Sequence, residues 1–191
     1  MQYNFDEIID RRGTDALKID AIPGIWGRED LLPLWVADMD FATPPFIIDE
    51  LRRRLDHEIL GYTMRTPRWA SSIVAWQQSR YGWTIQPEWL NFVPGIVPGI
   101  AFVISCFTAP GDAILIQPPV YHPYIHVPQN LGRVLRENAL DLVDGQYRID
   151  FERFERDARG CKLFLLCHPH NPGGRVWTAD ELRRMAEICH R

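Results

Sequence analysis

The chain has 191 residues and a mass of 22.2 kDa; 46% of the residues are hydrophobic and 24% charged, which is too apolar for a disordered chain. With 21 basic against 25 acidic residues the net charge is −4, and no basic stripe of the kind that displaces counterions from nucleic acid is present. No apolar run approaches the roughly 20 residues of a membrane helix, and the first six residues lack the features of a secretory leader, so no membrane partner and a cytoplasmic location are expected.

Residues 1–43 are broken by Pro23, Gly24, Gly27 and Pro33, which predicts an irregular N-terminal arm. Within it, Trp35 to Phe41 alternates like a short surface strand that leaves Asp38 and Asp40 solvated. Thr43 as N-cap and Pro44 as first helical residue open a helix carrying Ile47, Leu51, Leu55 and Ile59, ended near Gly61. Its Arg52, Arg53 and Arg54 form the wet face. A second helix runs from Pro67 to about Tyr81 and stops at Gly82.

From there the pattern alternates. Residues 91–93 read as a strand and 95–107 as an apolar helix; residues 113–116 read as a buried strand, 121–129 as a helix and 133–137 as a strand. Asp150 caps a helix to Ala158, residues 162–166 form another buried strand, and Thr178 with Glu181 makes a capping box. Strands that are apolar throughout belong to a sheet covered on both faces, and helices between them imply parallel pairing. The expected fold is α/β, a mainly parallel sheet between helices behind an N-terminal arm. The series stops inside a helix, with a sheet edge awaiting another strand, so the chain reads as cut from a longer one.

Three segments could carry chemistry. Val93-Pro94-Gly95-Ile96-Val97 leads into a helix, whose free N–H groups suit an anion, although a plain turn is the better reading of these residues alone. Gln117-Pro118-Pro119-Val120-Tyr121 follows a buried strand and could stack Tyr121 on a flat ring, or anchor a stiff loop. His168-Pro169-His170-Asn171-Pro172 follows the next buried strand and could turn the Asn171 amide into the crevice. Cis peptides are expected at Pro118–Pro119 and Asn171–Pro172. His168 with His170, and His122 with His126, lack the further ligands a zinc site needs, and Cys106, Cys161, Cys167 and Cys189 form no C-x-x-C pair, so neither metal nor disulfide is expected.

Taken together, these motifs resemble the N-terminal half of fold-type I pyridoxal-phosphate enzymes. The similarity is greatest to the cystathionine β-lyase-like C–S lyases of the class I/II aminotransferase superfamily. It rests on Asp10-Arg11-Arg12-Gly13-Thr14-Asp15 with Lys18, on Leu34 to Phe41, on Gly61-Tyr62-Thr63, and on the three segments above with Gly174-Arg175-Val176-Trp177. The resemblance implies that Gly95, Ile96 and Val97 hold the phosphate of pyridoxal 5′-phosphate. It implies that Tyr121 stacks on the pyridine ring and Asn171 bonds its O3′ oxygen. Tyr62 would reach the cofactor of the other subunit of a homodimer, and Ala37 and Asp38 would border an amino-acid substrate. Residues 1–43 would form the arm and substrate-side segment, and 44–191 the first part of the large cofactor domain.

No catalytic residue is assigned within this chain. The Schiff-base lysine of such enzymes lies in a serine-rich segment beyond Asn171, and the two lysines here, Lys18 and Lys162, stand in other contexts. The parent is expected to be a C–S β-lyase, with an aminotransferase as its near rival. A non-catalytic binding fragment is the alternative from another class.

Overall fold

The computed structural model describes residues 3–191, which divide into two compact units, one ending at Trp69 and the other starting at Ala70. In the N-terminal unit the expected irregular arm contains two short helices, α1 (Leu17–Asp20) and α2 (Ile22–Trp26). The carboxylate of Asp20 builds the turn before α1 by accepting from the N–H groups of Gly13 (3.0 Å), Thr14 (3.1 Å) and Ala16 (3.2 Å). Gly27, at φ 64°, ends α2 in the left-handed conformation that glycine adopts without Cβ strain.

Residues 35–41 are not a strand, and Asp38 and Asp40 are not merely solvated. Arg11 pairs with both carboxylates. Lys18, only 8% exposed, donates from Nζ to the Asp40 carboxylate at 2.7 Å and to the Asp38 carbonyl at 2.9 Å. A buried ammonium needs such acceptors, and collecting them bends the segment out of extended form. Trp35 adds a bond from Nε1 to the Lys18 carbonyl (3.0 Å) and an edge contact with Trp26 at 5.1 Å.

Helix α3 (Pro45–Leu55) starts one residue later than the sequence suggests and ends well before Gly61. Pro44, at ψ 133°, precedes another proline, whose ring excludes a helical conformation from the residue before it. At the other end Arg54 folds over to donate to the His57 carbonyl at 3.1 Å, and Ile59 lies outside the helix. The three arginines are exposed as expected, with Arg52 paired to Asp49 and Arg53 to Glu50. Helix α4 (Pro67–Tyr81) has the expected bounds.

In the C-terminal unit, residues 91–93 are irregular rather than a strand; among the described residues no strand pairs with them. Helix α5 (Ile96–Phe107) follows, then β1 (Ala113–Ile116), α6 (Pro123–Asn130) and β2 (Val134–Glu137). After a hairpin of β3 (Asp141–Val143) and β4 (Gln146–Arg148) come α7 (Phe151–Ala158), β5 (Cys161–Phe164) and α8 (Ala179–His190). The main sheet has the order β2-β1-β5 and is parallel throughout, with Ala113 opposite Val134 and Leu115 opposite Phe164.

Central β1 is sealed on both faces, as its unbroken apolar sequence requires. Ile114 and Ile116 pack with Ile100, Ile104, Val120 and Leu165, while Leu115 points the other way into Phe154, Trp177, Met185 and Ile188. Asp150 caps α7 by accepting from the N–H groups of Glu152 and Arg153, and the Thr178–Glu181 capping box opens α8. The β3–β4 hairpin was not foreseen, yet its turn has a local cause. Asp144 (φ 51°) and Gly145 (φ 75°) form the two-residue left-handed turn that an Asp-Gly pair favours.

Candidate functional site

Helix α5 returns to β1 through a five-residue turn (108–112) and so runs antiparallel to it, which brings the helix N-terminus to the carboxyl end of the strand. In an open parallel sheet this is the end where ligands bind. Gly95 is the N-cap and no side chain caps the helix, so the N–H groups of Ile96 and Val97 meet no side-chain acceptor. Pro98, in the third helical position, contributes no N–H. The start of α5 lies close on residue 93: a Cβ at Gly99 would come within 3.3 Å of the Val93 Cγ2.

The loop after β1 begins at Gln117, 2% exposed, whose amide donates to Asn138 at 3.2 Å; Asn138 in turn donates to Asp157 at 2.8 Å. Pro118–Pro119 is cis, as expected. Tyr121 is half-buried and stands edge-on to His122 at 4.9 Å. Tyr124, one turn on, donates from its hydroxyl to the Leu166 carbonyl at 3.2 Å, and burial, reinforced by nearby Cys167, pushes its phenol pKa up.

The loop after β5 has cis peptides at Asn171–Pro172, as expected, and also at His168–Pro169. The Asn171 N–H donates to the Cys167 sulfur at 3.2 Å, and Trp177 donates from Nε1 to the Cys167 carbonyl, also at 3.2 Å. His170 and Arg175 close the turn as a β-bridge. The Arg175 guanidinium lies over the Trp177 ring at 5.0 Å and pairs with Glu181 at 2.7 Å. Gly173 is required by close approach: a Cβ there would sit 2.8 Å from the Tyr147 ring and 3.0 Å from His170.

The structure thus gathers Gly95, Ile96, Val97, Tyr121 and Asn171 on the loops and helix start at one end of β1 and β5. Ala37, Asp38 and Tyr62 belong to the other unit, where Asp38 is engaged by Arg11 and Tyr62 is fully exposed. No lysine amine is offered at the strand ends within this unit. Lys162 is exposed near the opposite end of β5, beside a cavity of about 450 Å³ lined by Leu115, Phe164 and Ile188, away from these loops. Lys18 is spent on Asp38 and Asp40. The sequence offered His170 only as a loop member and an incomplete zinc ligand, and it pointed neither to the His170 bond with Pro119 nor to the Gln117–Asn138–Asp157 chain. For His170 a signal existed, since it is the residue before Asn171 in a loop that follows a buried strand.

The family model for aminotransferase class I and II aligns with residues 29–191. The chain belongs to that family. It is 42% identical over 188 residues to cystathionine β-lyase PatB of Bacillus subtilis (strain 168), covering 97% of this chain and 49% of that protein. Among solved structures, cystalysin from Treponema denticola, containing pyridoxal 5′-phosphate, superposes with a TM-score of 0.91 at 37% identity, over 98% of this chain and 49% of that one. The pyridoxal-phosphate-bound C–S lyase from Staphylococcus hominis gives 0.89 at 35%, over 100% and 49%. The chain therefore spans about half the length of these relatives.

Proposed function

We propose that this chain is the N-terminal portion of a pyridoxal-phosphate-dependent C–S β-lyase acting on cystathionine or cysteine-like amino acids. The substrate's Cβ–S bond breaks, giving pyruvate, ammonia and a thiol. The observation that carries the reading is the convergence at one sheet end of an uncapped helix start, Tyr121 and Asn171, in a chain whose relatives named above include a cystathionine β-lyase and a C–S lyase. Residues 44–191 are the first part of the cofactor domain, and 1–43 the arm and substrate-side segment.

The residues fit the cofactor. A dianionic phosphate suits the free Ile96 and Val97 N–H groups and the positive end of α5, where Gly95 leaves the approach open. Tyr121 offers a half-exposed face for a pyridine ring, and the Asn171 amide a hydrogen bond to the O3′ oxygen the ring carries. Bound there, pyridoxal phosphate supplies an electron sink for charge released at the substrate Cα. This chain's share is orientation: it anchors the phosphate, holds the ring plane and fixes the O3′ oxygen. Ala37 and Asp38 border the substrate, and Tyr62 reaches the phosphate bound by a second subunit of a homodimer. The lysine that carries the cofactor and the acidic partner of its ring nitrogen come from outside these 191 residues.

The test uses the complete protein. Cystathionine or a cysteine conjugate should yield pyruvate with no 2-oxo acid added. Tyr121→Ala should weaken cofactor binding by about two- to twelvefold, the worth of roughly 0.5–1.5 kcal/mol of ring stacking. Turnover that strictly requires an added 2-oxo acid, with no pyruvate formed, would replace the lyase with an aminotransferase.

A further inference from the structure

The side chain of His170 is 2% exposed. Its Nε2 lies 2.8 Å from the Pro119 carbonyl, which belongs to the loop after β1, while its backbone belongs to the loop after β5. A carbonyl oxygen has no hydrogen to give, so Nε2 is the donor and carries the proton. The other ring nitrogen, Nδ1, is buried without a hydrogen-bond partner. The ring is enclosed by the edge of Trp177, at 5.5 Å between centroids, and by the backbone at Gly173, where a Cβ would lie 3.0 Å from His170 Cδ2. Its backbone is fixed as well: the His170 N–H donates to the Arg175 carbonyl at 2.8 Å, and its carbonyl accepts from Gly174 at 2.8 Å.

Packing alone does not account for this arrangement. An imidazole with one nitrogen unsatisfied is a costly way to fill an apolar gap, and an aliphatic or phenyl side chain would fill it without that cost. What the ring adds is one directed bond between two loops. Pro119 lies two residues before Tyr121, and His170 is the residue before Asn171. The bond therefore spans the two groups whose spacing fixes where a flat ligand can sit.

We propose that His170 is a positioning residue: as the Nε2–H tautomer, it clamps the Asn171 turn to the Pro119 carbonyl and so sets the distance between Asn171 and Tyr121. The inference rests on the cofactor reading for its purpose, but the clamp is a property of the protein without ligand. His170→Gln can place an amide N–H where Nε2 lies and keep the bond. His170→Asn is shorter, places its amide near the Nδ1 position, and leaves the Pro119 carbonyl unmet.

The complete protein provides the test, first without cofactor. Labelling with ¹⁵N-histidine should show one histidine Nε2–H that is protected from solvent exchange and is lost in both variants. A His170 with its proton on Nδ1 alone would overturn the proposal. Pyridoxal phosphate titration then separates clamp from filler. His170→Gln should bind within about threefold of the wild type and His170→Asn about tenfold more weakly, the loss that goes with one unsatisfied buried carbonyl. Thermal midpoints should fall less than this difference implies. Equal cofactor affinity in both variants, or equal weakening in both with matching losses of stability, would make His170 a space-filler. A wild type that fails to bind pyridoxal phosphate would sink the cofactor reading instead, leaving the protected Nε2–H to judge the clamp.

Discussion

Gly173→Ala tests whether the turn bearing Asn171 is shaped by the β3–β4 hairpin. A Cβ at this position would meet Tyr147 Cδ2 at 2.8 Å and Cε2 at 3.2 Å, with His170 Cδ2 at 3.0 Å. Ordinary carbon–carbon contact begins near 3.5 Å, so the nearest approach is short by roughly 0.7 Å. The atoms it meets are not the free ends of flexible side chains. Tyr147 is half-buried on β4 against the Phe154 core, and its carbonyl accepts from Arg175 Nε at 3.1 Å. Either the hairpin or the turn has to move, and insertions of this kind into packed sites cost about 1–3 kcal/mol. Urea unfolding of the complete protein should show that loss for Gly173→Ala, with an unchanged slope. Tyr147→Leu removes the ring edge, so the double variant should regain most of the loss relative to Tyr147→Leu alone, a coupling above about 1 kcal/mol. A neutral Gly173→Ala, or additive effects of the two changes, would refute the argument.

Two further outcomes concern the N-terminal unit. Lys18→Met should destabilise the protein by about 1–2 kcal/mol, since the Asp38 carbonyl and the Asp40 carboxylate lose a donor, and Trp35 fluorescence should report the disturbance. Lys18, and after it Arg11, hold the Asp40 carboxyl below its ordinary range, so the unfolded chain binds this proton more readily than the folded one. The stability it contributes is present above about pH 4 and is lost as pH falls below it. Asp40→Asn should therefore be less stable at neutral pH and show a flatter acid limb between about pH 5 and 3; a limb as steep as the wild type's would show that Asp40 does not titrate differently on folding.

What was legible in the sequence was mostly local or set by unbroken apolar runs. β1 was visible because Ala113 to Ile116 needs cover on both faces, and α8 because Thr178 and Glu181 bond each other within one turn. The shift of α3 was available in the pair Pro44-Pro45, and the hairpin in Asp144-Gly145, both short-range signals that the longer periodicities overshadowed. Residues 91–93 show the converse error. Their composition suits a strand, but a strand needs a neighbour, and pairing is not written in three residues. The roles of Lys18 and His170 were hidden for the same reason: their partners are 20 and 51 residues away, and only the folded chain brings them together.

The scarcity of lysine has a practical side. An unprotonated, accessible amine attacks reagents such as succinimidyl esters and aldehydes, and arginine's guanidinium does not answer to them at neutral pH. Of the two lysines, one is sunk between a carboxylate and a carbonyl, and the other stands open on β5. Among the described residues, then, amine chemistry has a single side-chain address. Within these residues, a fluorophore, spin label or surface tether placed by that route would arrive at Lys162, toward the far end of the sheet from Tyr121 and Asn171, and would leave the loops that carry them untouched.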